Sequence, residues 1–147
     1  MLFMAGCQPR RPPERPTPEL KTTGETLYRQ ALQYERLGEL SRAFEVYASF
    51  VRKHPRDEKA PLALRRMAEI RYGDRRFEEA LALYERIRRE YPSHPHRALV
   101  GVEILNTLHR MGDLDACLSR GEAWLREHAG HPLEGDALFL LGRCESE

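Results

Sequence analysis

The chain has 147 residues, which is enough for one ordinary domain and too few for two of full size. Hydrophobic residues make up 41% of it, and no apolar run approaches the roughly 18–20 residues of a membrane span. The 24 basic and 23 acidic residues leave a net charge of +1, which argues against a dedicated nucleic-acid-binding protein, because such proteins carry a basic surplus on one face.

The first segment of the chain ends in a cysteine. Residues 1–7 read Met-Leu-Phe-Met-Ala-Gly-Cys, and the small residues before Cys7 resemble a bacterial lipobox, in which the cysteine is lipidated with acyl chains such as palmitate. A signal peptide also needs a basic start and an apolar stretch of about 7–15 residues. We therefore interpret residues 1–7 as the remnant of a signal that starts upstream. The alternative is an accidental cysteine in an irregular tail.

Residues 8–23 follow as a linker rich in proline and arginine. Five of the ten prolines of the chain fall between Gln8 and Pro18. Such a segment stays extended and cannot form a core, so we predict a tether between a membrane and a folded domain of residues 24–147. If Cys7 is lipidated, the Gln8 that follows it resembles the residue found in lipoproteins sorted to the outer membrane.

An internal repeat covers the rest of the chain. A small residue after a turn, an aromatic residue and a closing proline each recur after 37 residues (Ala43 and Ala80, Tyr47 and Tyr84, Pro55 and Pro92). The same spacing continues toward the end of the chain with less regular residues. It divides the domain into the units 24–60, 61–97 and 98–134 and a partial unit 135–147.

Each unit reads as two helices joined by a turn. In the first unit Leu27, Ala31 and Tyr34 recur at the spacing of one helix face. The second helix ends before Pro55, because proline lacks the N–H donor. The small residue, the aromatic residue four later and the closing proline resemble the tetratricopeptide repeat. The resemblance implies an all-α fold, a right-handed superhelix of antiparallel helix hairpins with about three and a half repeats.

The sequence departs from the common repeat in two ways. Its period is 37 residues rather than about 34, and the third unit has Gly121 in the aromatic column and Ala129 in the proline column. We predict that Trp124 fills the core place of Phe50 and Ile87. The longer repeat, together with the lipobox, resembles periplasmic outer-membrane lipoproteins of the BamD and YbgF type.

The sequence carries no pattern typical of an enzyme or a metal site. His94, His96, His128 and His131 lack the spacing of zinc ligands. There is no phosphate loop, dinucleotide fingerprint or nucleophile elbow. We therefore expect no catalytic residues, no cofactor and no metal.

The sequence leaves open whether Cys117 and Cys144 form a disulfide bond. Neighbouring helices would carry Cys117 and Cys144, which is compatible with a disulfide bond in an oxidising compartment. Cys117 also occupies the small-residue column of Ala43 and Ala80, and we favour a buried small hydrophobic side chain there.

In tetratricopeptide repeats the first helices line a concave surface that binds a partner. The resemblance therefore implies a groove formed by residues between the core columns: Tyr28, Leu32, Glu35, Arg36, Arg65, Glu69, Tyr72, Asn106, His109, Arg110, Phe139 and Arg143. Tyrosine and arginine are enriched at binding hot spots, which favours Tyr28, Arg65, Tyr72 and Arg110. The alternative is ordinary exposed surface.

Together these interpretations predict a non-catalytic scaffold on an envelope lipoprotein, held to the outer membrane through Cys7 and facing the periplasm. Its partner would be a protein or peptide in outer-membrane assembly or cell-wall synthesis, with no nucleic acid or small-molecule substrate. One alternative is a cytoplasmic tetratricopeptide adaptor. Another is the N-terminal helical domain of a longer protein resembling activators of penicillin-binding proteins, since the fourth unit is incomplete.

Overall fold

The computed structural model describes residues 23–146 of the chain. Within this range the secondary structure consists of helices without a strand: α1 (Gly24–Arg36), α2 (Leu40–Lys53), α3 (Ala60–Gly73), α4 (Phe77–Glu90), α5 (Arg97–Met111), α6 (Leu114–Glu127) and α7 (Glu134–Ser146). Consecutive helices pack against each other from α1 to α7, and α7 also contacts α5. The predicted all-α fold of repeated helix hairpins is confirmed.

The repeat is visible in the turns that join the two helices of each hairpin. The residue at the centre of the turn has a left-handed backbone in all three hairpins, with φ of 75° at Gly38, 62° at Arg75 and 76° at Gly112. Glycine adopts this conformation without a steric penalty, whereas a residue with a Cβ atom does not. The turn geometry is therefore conserved even where the glycine is not.

The core lies between the helices of successive hairpins. The small-residue column (Ala43, Ala80 and Cys117) is fully buried, and so are the large side chains that follow it in α2, such as Tyr47 and Phe50. A small side chain lets two helix backbones approach closely, and the larger residues fill the space on either side. Pro55 and Pro92 follow the ends of α2 and α4, as predicted.

The third hairpin keeps this packing with different residues. Trp124 is buried in the core place of Phe50 and Ile87, as predicted. Its ring occupies the space beside Gly101, where an added Cβ atom would lie 2.6 Å from Trp124 Nε1. A Cβ atom at Gly121 would lie 2.8 Å from Leu141 Cγ on α7. The two glycines therefore make room for a large side chain from the facing helix.

A disulfide bond joins α6 to α7. Cys117 and Cys144 are bonded to each other, with their Cα atoms 6.6 Å apart. Our preferred interpretation of Cys117, a buried small side chain without a bond, was therefore wrong. The side chain does fill the small-residue column, but its position at the α6–α7 interface also places it within bonding distance of Cys144.

Within residues 23–146, no helix is long and apolar enough to cross a membrane. Cys7 and most of the predicted linker 8–23 lie outside the described residues.

Candidate functional site

The first helices of the hairpins share one surface. On α1 and α3, Glu35 and Arg66 approach to 4.0 Å between Oε1 and Nη1. On α3 and α5, the Asn106 amide donates a hydrogen bond of 2.9 Å to the Tyr72 hydroxyl oxygen. These contacts cross from one repeat to the next, so residues predicted for the groove from different repeats do lie side by side.

The centre of this surface is an ion pair between α3 and α5. The Arg65 guanidinium donates from Nη2 to Glu103 Oε1 at 2.7 Å and from Nε to both carboxylate oxygens at 2.9 and 3.0 Å. Arg65 also contacts Glu69 at 2.9 Å on its own helix. A fork-shaped pairing of this kind is strong and directional, so it holds α3 and α5 in a defined register.

Burial and ion pairing shift the pKa values of these two side chains in opposite directions. Burial raises the pKa of Glu103 above its usual value, although the hydrogen bonds from Arg65 oppose the change. The hydrogen bonds to Glu103 raise the pKa of Arg65. Because arginine stays charged at all ordinary pH values, the pair places a fixed positive charge beside a partly desolvated carboxyl group.

A second polar cluster lies at the α1 end of the surface. The Tyr47 hydroxyl donates to Glu35 Oε2 at 2.5 Å, and burial raises the pKa of Tyr47 well above its usual value. Arg66 Nη1 donates to Glu69 Oε2 at 3.0 Å. The Tyr28 ring packs on Tyr47, with 5.7 Å between the ring centroids. The polar side chains of this cluster, Glu35, Arg66 and Glu69, thus already have partners within the chain.

An apolar recess lies at the other end, between α5 and α7. Its volume is about 250 Å³, and it is lined by Val102, Glu103, Asn106, Asp136, Phe139 and Leu140. Phe139 is 67% exposed. The surface therefore changes from a charged region on α1 and α3 to a small apolar depression with an exposed aromatic ring.

The structure brings most of the predicted groove residues together. Tyr28, Glu35, Arg65, Glu69, Tyr72 and Asn106 are partly buried and form the contacts described above, and Leu32 is partly buried beside the core. Arg36 and Arg110 are exposed in the last turns of α1 and α5, and Arg143 is exposed on α7. All of these positions except Leu32 remain candidates for contact with a partner.

His109 is placed differently from the prediction. It is only 6% exposed, because α5 is enclosed by contacts with α4, α6 and α7. Its imidazole is therefore part of the interior and is not a groove residue in this structure. The corresponding residues of the first two repeats, Glu35 and Tyr72, are less enclosed.

The sequence reasoning missed Glu103, the acidic half of the central ion pair. The residues at the same repeat position are Arg66 in the second repeat and Arg29 in the first, at successive spacings of 37 residues. The reversal of charge in this column was visible in the sequence. It could have indicated an ion pair between neighbouring first helices, because Arg65 lies next to this column on α3.

Two further depressions lie away from the first-helix surface. A wide trough of about 820 Å³ runs between the loops after α2 and α4, where the Tyr91 hydroxyl donates to the Pro55 carbonyl at 2.7 Å. A smaller pocket beside Trp124 is lined by Arg88, Arg97 and Arg120. These arginines contact Glu85 or Glu127, so the pocket is not uniformly basic.

Among residues 23–146, no three His, Cys, Asp or Glu side chains are arranged to hold a metal ion. The His94 and His96 rings do lie close to each other, with 5.2 Å between their centroids. Burial lowers the pKa of His94. Their arrangement suits neighbouring loop residues rather than a ligand set, which needs three or four donors around one point.

Comparison with known families identifies the repeat. Residues 25–57 and 62–94 each match the family model of the tetratricopeptide repeat. These segments correspond to the first two hairpins, whose residue columns are the most regular. No curated protein matches the chain. These two segments thus match tetratricopeptide repeats, and such repeats indicate a scaffold for protein–protein interaction.

Proposed function

We propose that the chain is the protein-binding part of a bacterial envelope lipoprotein and performs no chemical reaction itself. The surface shared by α1, α3, α5 and α7 supports this proposal most directly, because it offers one continuous contact area across all repeats. The lipobox-like residues before Cys7 and the proline-rich segment after it support attachment to the outer membrane on the periplasmic side. Outer-membrane assembly and cell-wall synthesis are the processes that we favour.

Binding would use the two ends of the first-helix surface. At one end Arg36 is exposed beside the polar cluster of Glu35 and Arg66, and at the other Phe139 borders the apolar recess. A partner segment, helical or extended, would place an apolar side chain in the recess and acidic groups near the exposed arginines. Tethering to the membrane would raise the effective concentration of the scaffold near a membrane-bound partner.

Site-specific photo-crosslinking in the native host tests the binding surface. A photoreactive amino acid is placed at Arg36, Arg110 or Phe139 on the first helices. Matched controls carry it at Glu45 or Ser119, which are exposed and share one column on α2 and α6. We expect one discrete adduct from the first-helix positions and none from the controls. Adducts of equal yield from both sets would contradict a partner surface on the first helices.

The mass of the native protein tests the lipid anchor. The protein is extracted with detergent from its own organism, and a Cys7→Ser variant serves as the control. We expect a chain that begins at Cys7 and carries the mass of diacylglycerol and fatty acid, and no such species from the variant. An unmodified chain beginning at Met1 would exclude the lipoprotein and favour the cytoplasmic adaptor.

A further inference from the structure

A cleft lies between the second helices of the second and third hairpins. Helices α4 and α6 both pack on α5, and the inner part of the space between them is the pocket beside Trp124, with a volume of about 220 Å³. The outer part has a volume of about 480 Å³ and reaches Pro92. The two parts share three lining residues, which are Arg88, Arg97 and Arg120. Because the buried Ile104 and Leu105 of α5 line the inner part, the cleft combines apolar residues with arginines.

The preceding repeat boundary provides an internal comparison for this cleft. Four charged residues of the cleft, Glu85, Arg88, Arg97 and Arg120, correspond 37 residues earlier to Ala48, Val51, Ala60 and Leu83. Val51 and Ala60 are buried, and Ala48 and Leu83 pack against the core. The repeat thus joins its first two hairpins with small and apolar residues at these positions, so packing alone does not require the charged residues of the cleft.

The arginines of the cleft are only partly neutralised by the chain. Arg120 contacts Glu85, and Arg97 Nη2 donates to Glu127 Oε2 at 3.1 Å. Within residues 23–146, the ionic contact of Arg88 is with Glu85 at 4.0 Å, although Glu85 is already paired with Arg120. A guanidinium group has five N–H donors. Most of the donors of Arg88 therefore have no acceptor in the part of the chain that the structure describes.

We propose that this cleft binds an acidic segment of a partner protein, with carboxylates on the arginines and side-chain carbon atoms against α5. The lining has more arginines than glutamates, namely Arg88, Arg89, Arg97 and Arg120 against Glu85 and Glu127. This excess of two positive charges matches two carboxylates of a ligand, and carboxylates pair well with the fork-shaped arginine group. A free phosphate ion matches the cleft less well, because it leaves the apolar wall uncovered.

The chain itself has a poor match for this ligand before its first helix. Residues 1–22 contain more basic than acidic side chains, namely Arg10, Arg11, Arg15 and Lys21 against Glu14 and Glu19. Their net charge therefore has the same sign as that of the cleft. The lining residues all lie between positions 85 and 128, so the site is complete within the folded repeats. It is also separate from the first-helix surface and does not depend on it.

The single tryptophan of the chain reports on this site. Trp124 lines the inner part of the cleft, so its fluorescence should change when a ligand enters. The probe is an unlabelled peptide of six glutamates, and a peptide of six glutamines is the uncharged control. We expect a saturable change in the fluorescence with the glutamate peptide, weaker binding at higher salt because ions screen the charges, and no change with the glutamine peptide.

The preceding repeat boundary also supplies the test variant. Arg88→Val combined with Arg120→Leu introduces the residue types of Val51 and Leu83, so we expect the fold to be retained, which circular dichroism verifies. The glutamate peptide should bind at least about tenfold more weakly, because charge-assisted hydrogen bonds are lost. The matched control, Arg42→Leu with Arg52→Val, removes the same charge from exposed residues of α2 and should change the affinity less than about twofold.

A milder variant tests the site without any change of packing. Arg88→Gln removes the charge, and within residues 23–146 the contact that it loses is the one of 4.0 Å with Glu85. It should weaken the binding of the glutamate peptide about threefold or more, since one charge-assisted contact is lost. This variant keeps the proposal testable if the double variant does not fold.

Four results would overturn the proposal. The first is the absence of a fluorescence change with the glutamate peptide, and the second is equal weakening by the cleft variant and the α2 control, which would indicate attraction to the overall charge. The third is inorganic phosphate that displaces the peptide at concentrations below the dissociation constant of the peptide, which would assign the site to a free anion. The fourth is a dimer of the free protein that the cleft variant dissociates, which would assign the site to a second copy.

Discussion

The first two repeats and the region after them fill the same interface between helices with different residues. In repeats one and two, residues 24–97, the corresponding positions hold a buried leucine on the first helix and a buried large apolar side chain on the second, such as Leu64 and Ile87. In the third repeat this pair becomes Gly101 and Trp124. The volume lost on one helix is gained on the other. What the repeat preserves is thus the summed volume of facing positions, as close packing requires.

A second exchange crosses the boundary between α6 and α7. The aromatic column of Tyr47 and Tyr84 is replaced by Gly121, and Leu141 from α7 fills the space. Next to it the small-residue column becomes Cys117, which is bonded to Cys144. The last helix is thus integrated with the third repeat, although its outer face is not covered by another helix of residues 23–146. The region that looks degenerate in sequence is well packed in structure.

Removal of Trp124, the largest of the exchanged side chains, should destabilise the protein most. Trp124 Nε1 donates to the Ala98 carbonyl at 2.9 Å, and the ring stacks on His128 with 4.7 Å between centroids. Trp124→Ala loses these contacts and leaves a cavity beside Gly101. We expect it to lower the free energy of unfolding by about 3–5 kcal/mol, measured by urea denaturation.

The paired exchange supplies the control for this prediction. Gly101→Leu alone should destabilise by about 1–3 kcal/mol, because the leucine overlaps the Trp124 ring. The double variant Gly101→Leu with Trp124→Ile recreates the Leu64–Ile87 pair and should recover most of the loss. A double variant that is as unstable as the sum of its single changes would show that facing volumes are not exchangeable here.

The disulfide is the next largest difference between the two regions. Cys117→Ala restores the alanine of the first two repeats and removes only the covalent link, whose ends are 27 residues apart. We expect a loss of about 2–4 kcal/mol relative to the oxidised protein. A reducing agent should bring the original protein to the stability of the variant. Equal stability of both proteins without reductant, with both thiols reactive toward a thiol reagent, would contradict the bond.

The smallest predicted effect concerns the turn of the second repeat. Arg75 has a left-handed backbone, which Gly38 and Gly112 adopt at the same position in the other hairpins. Arg75→Gly should raise the free energy of unfolding by about 0.5–1 kcal/mol, because the steric penalty of a Cβ atom exceeds the entropic cost of glycine. The reverse change, Gly38→Ala, should lower it by a similar amount. If Arg75→Gly instead lowers the free energy of unfolding, the arginine side chain makes a contact that contributes more than the steric penalty of the left-handed backbone costs.

The helices, their order and the core columns could be predicted from the sequence alone. The period of 37 residues is a local signal repeated along the chain, and the spacing of apolar residues within a helix follows from 3.6 residues per turn. For that reason Ala43, Ala80 and Trp124 could be assigned to the core from their positions alone. The predicted groove residues on α1 and α3 could also be assigned to a common surface by adding one period.

The contacts between helices could not be predicted in this way, because they depend on the packed arrangement of the whole domain. The pairing of Cys117 with Cys144, the ion pair of Arg65 with Glu103, the burial of His109 and the exposure of Leu138 all depend on how far apart two helices lie and at what angle. That geometry follows from the packing of every side chain in the interface at once. A column read along the chain shows which residues share a helix face, whereas the neighbouring helix decides whether that face is covered, paired or open.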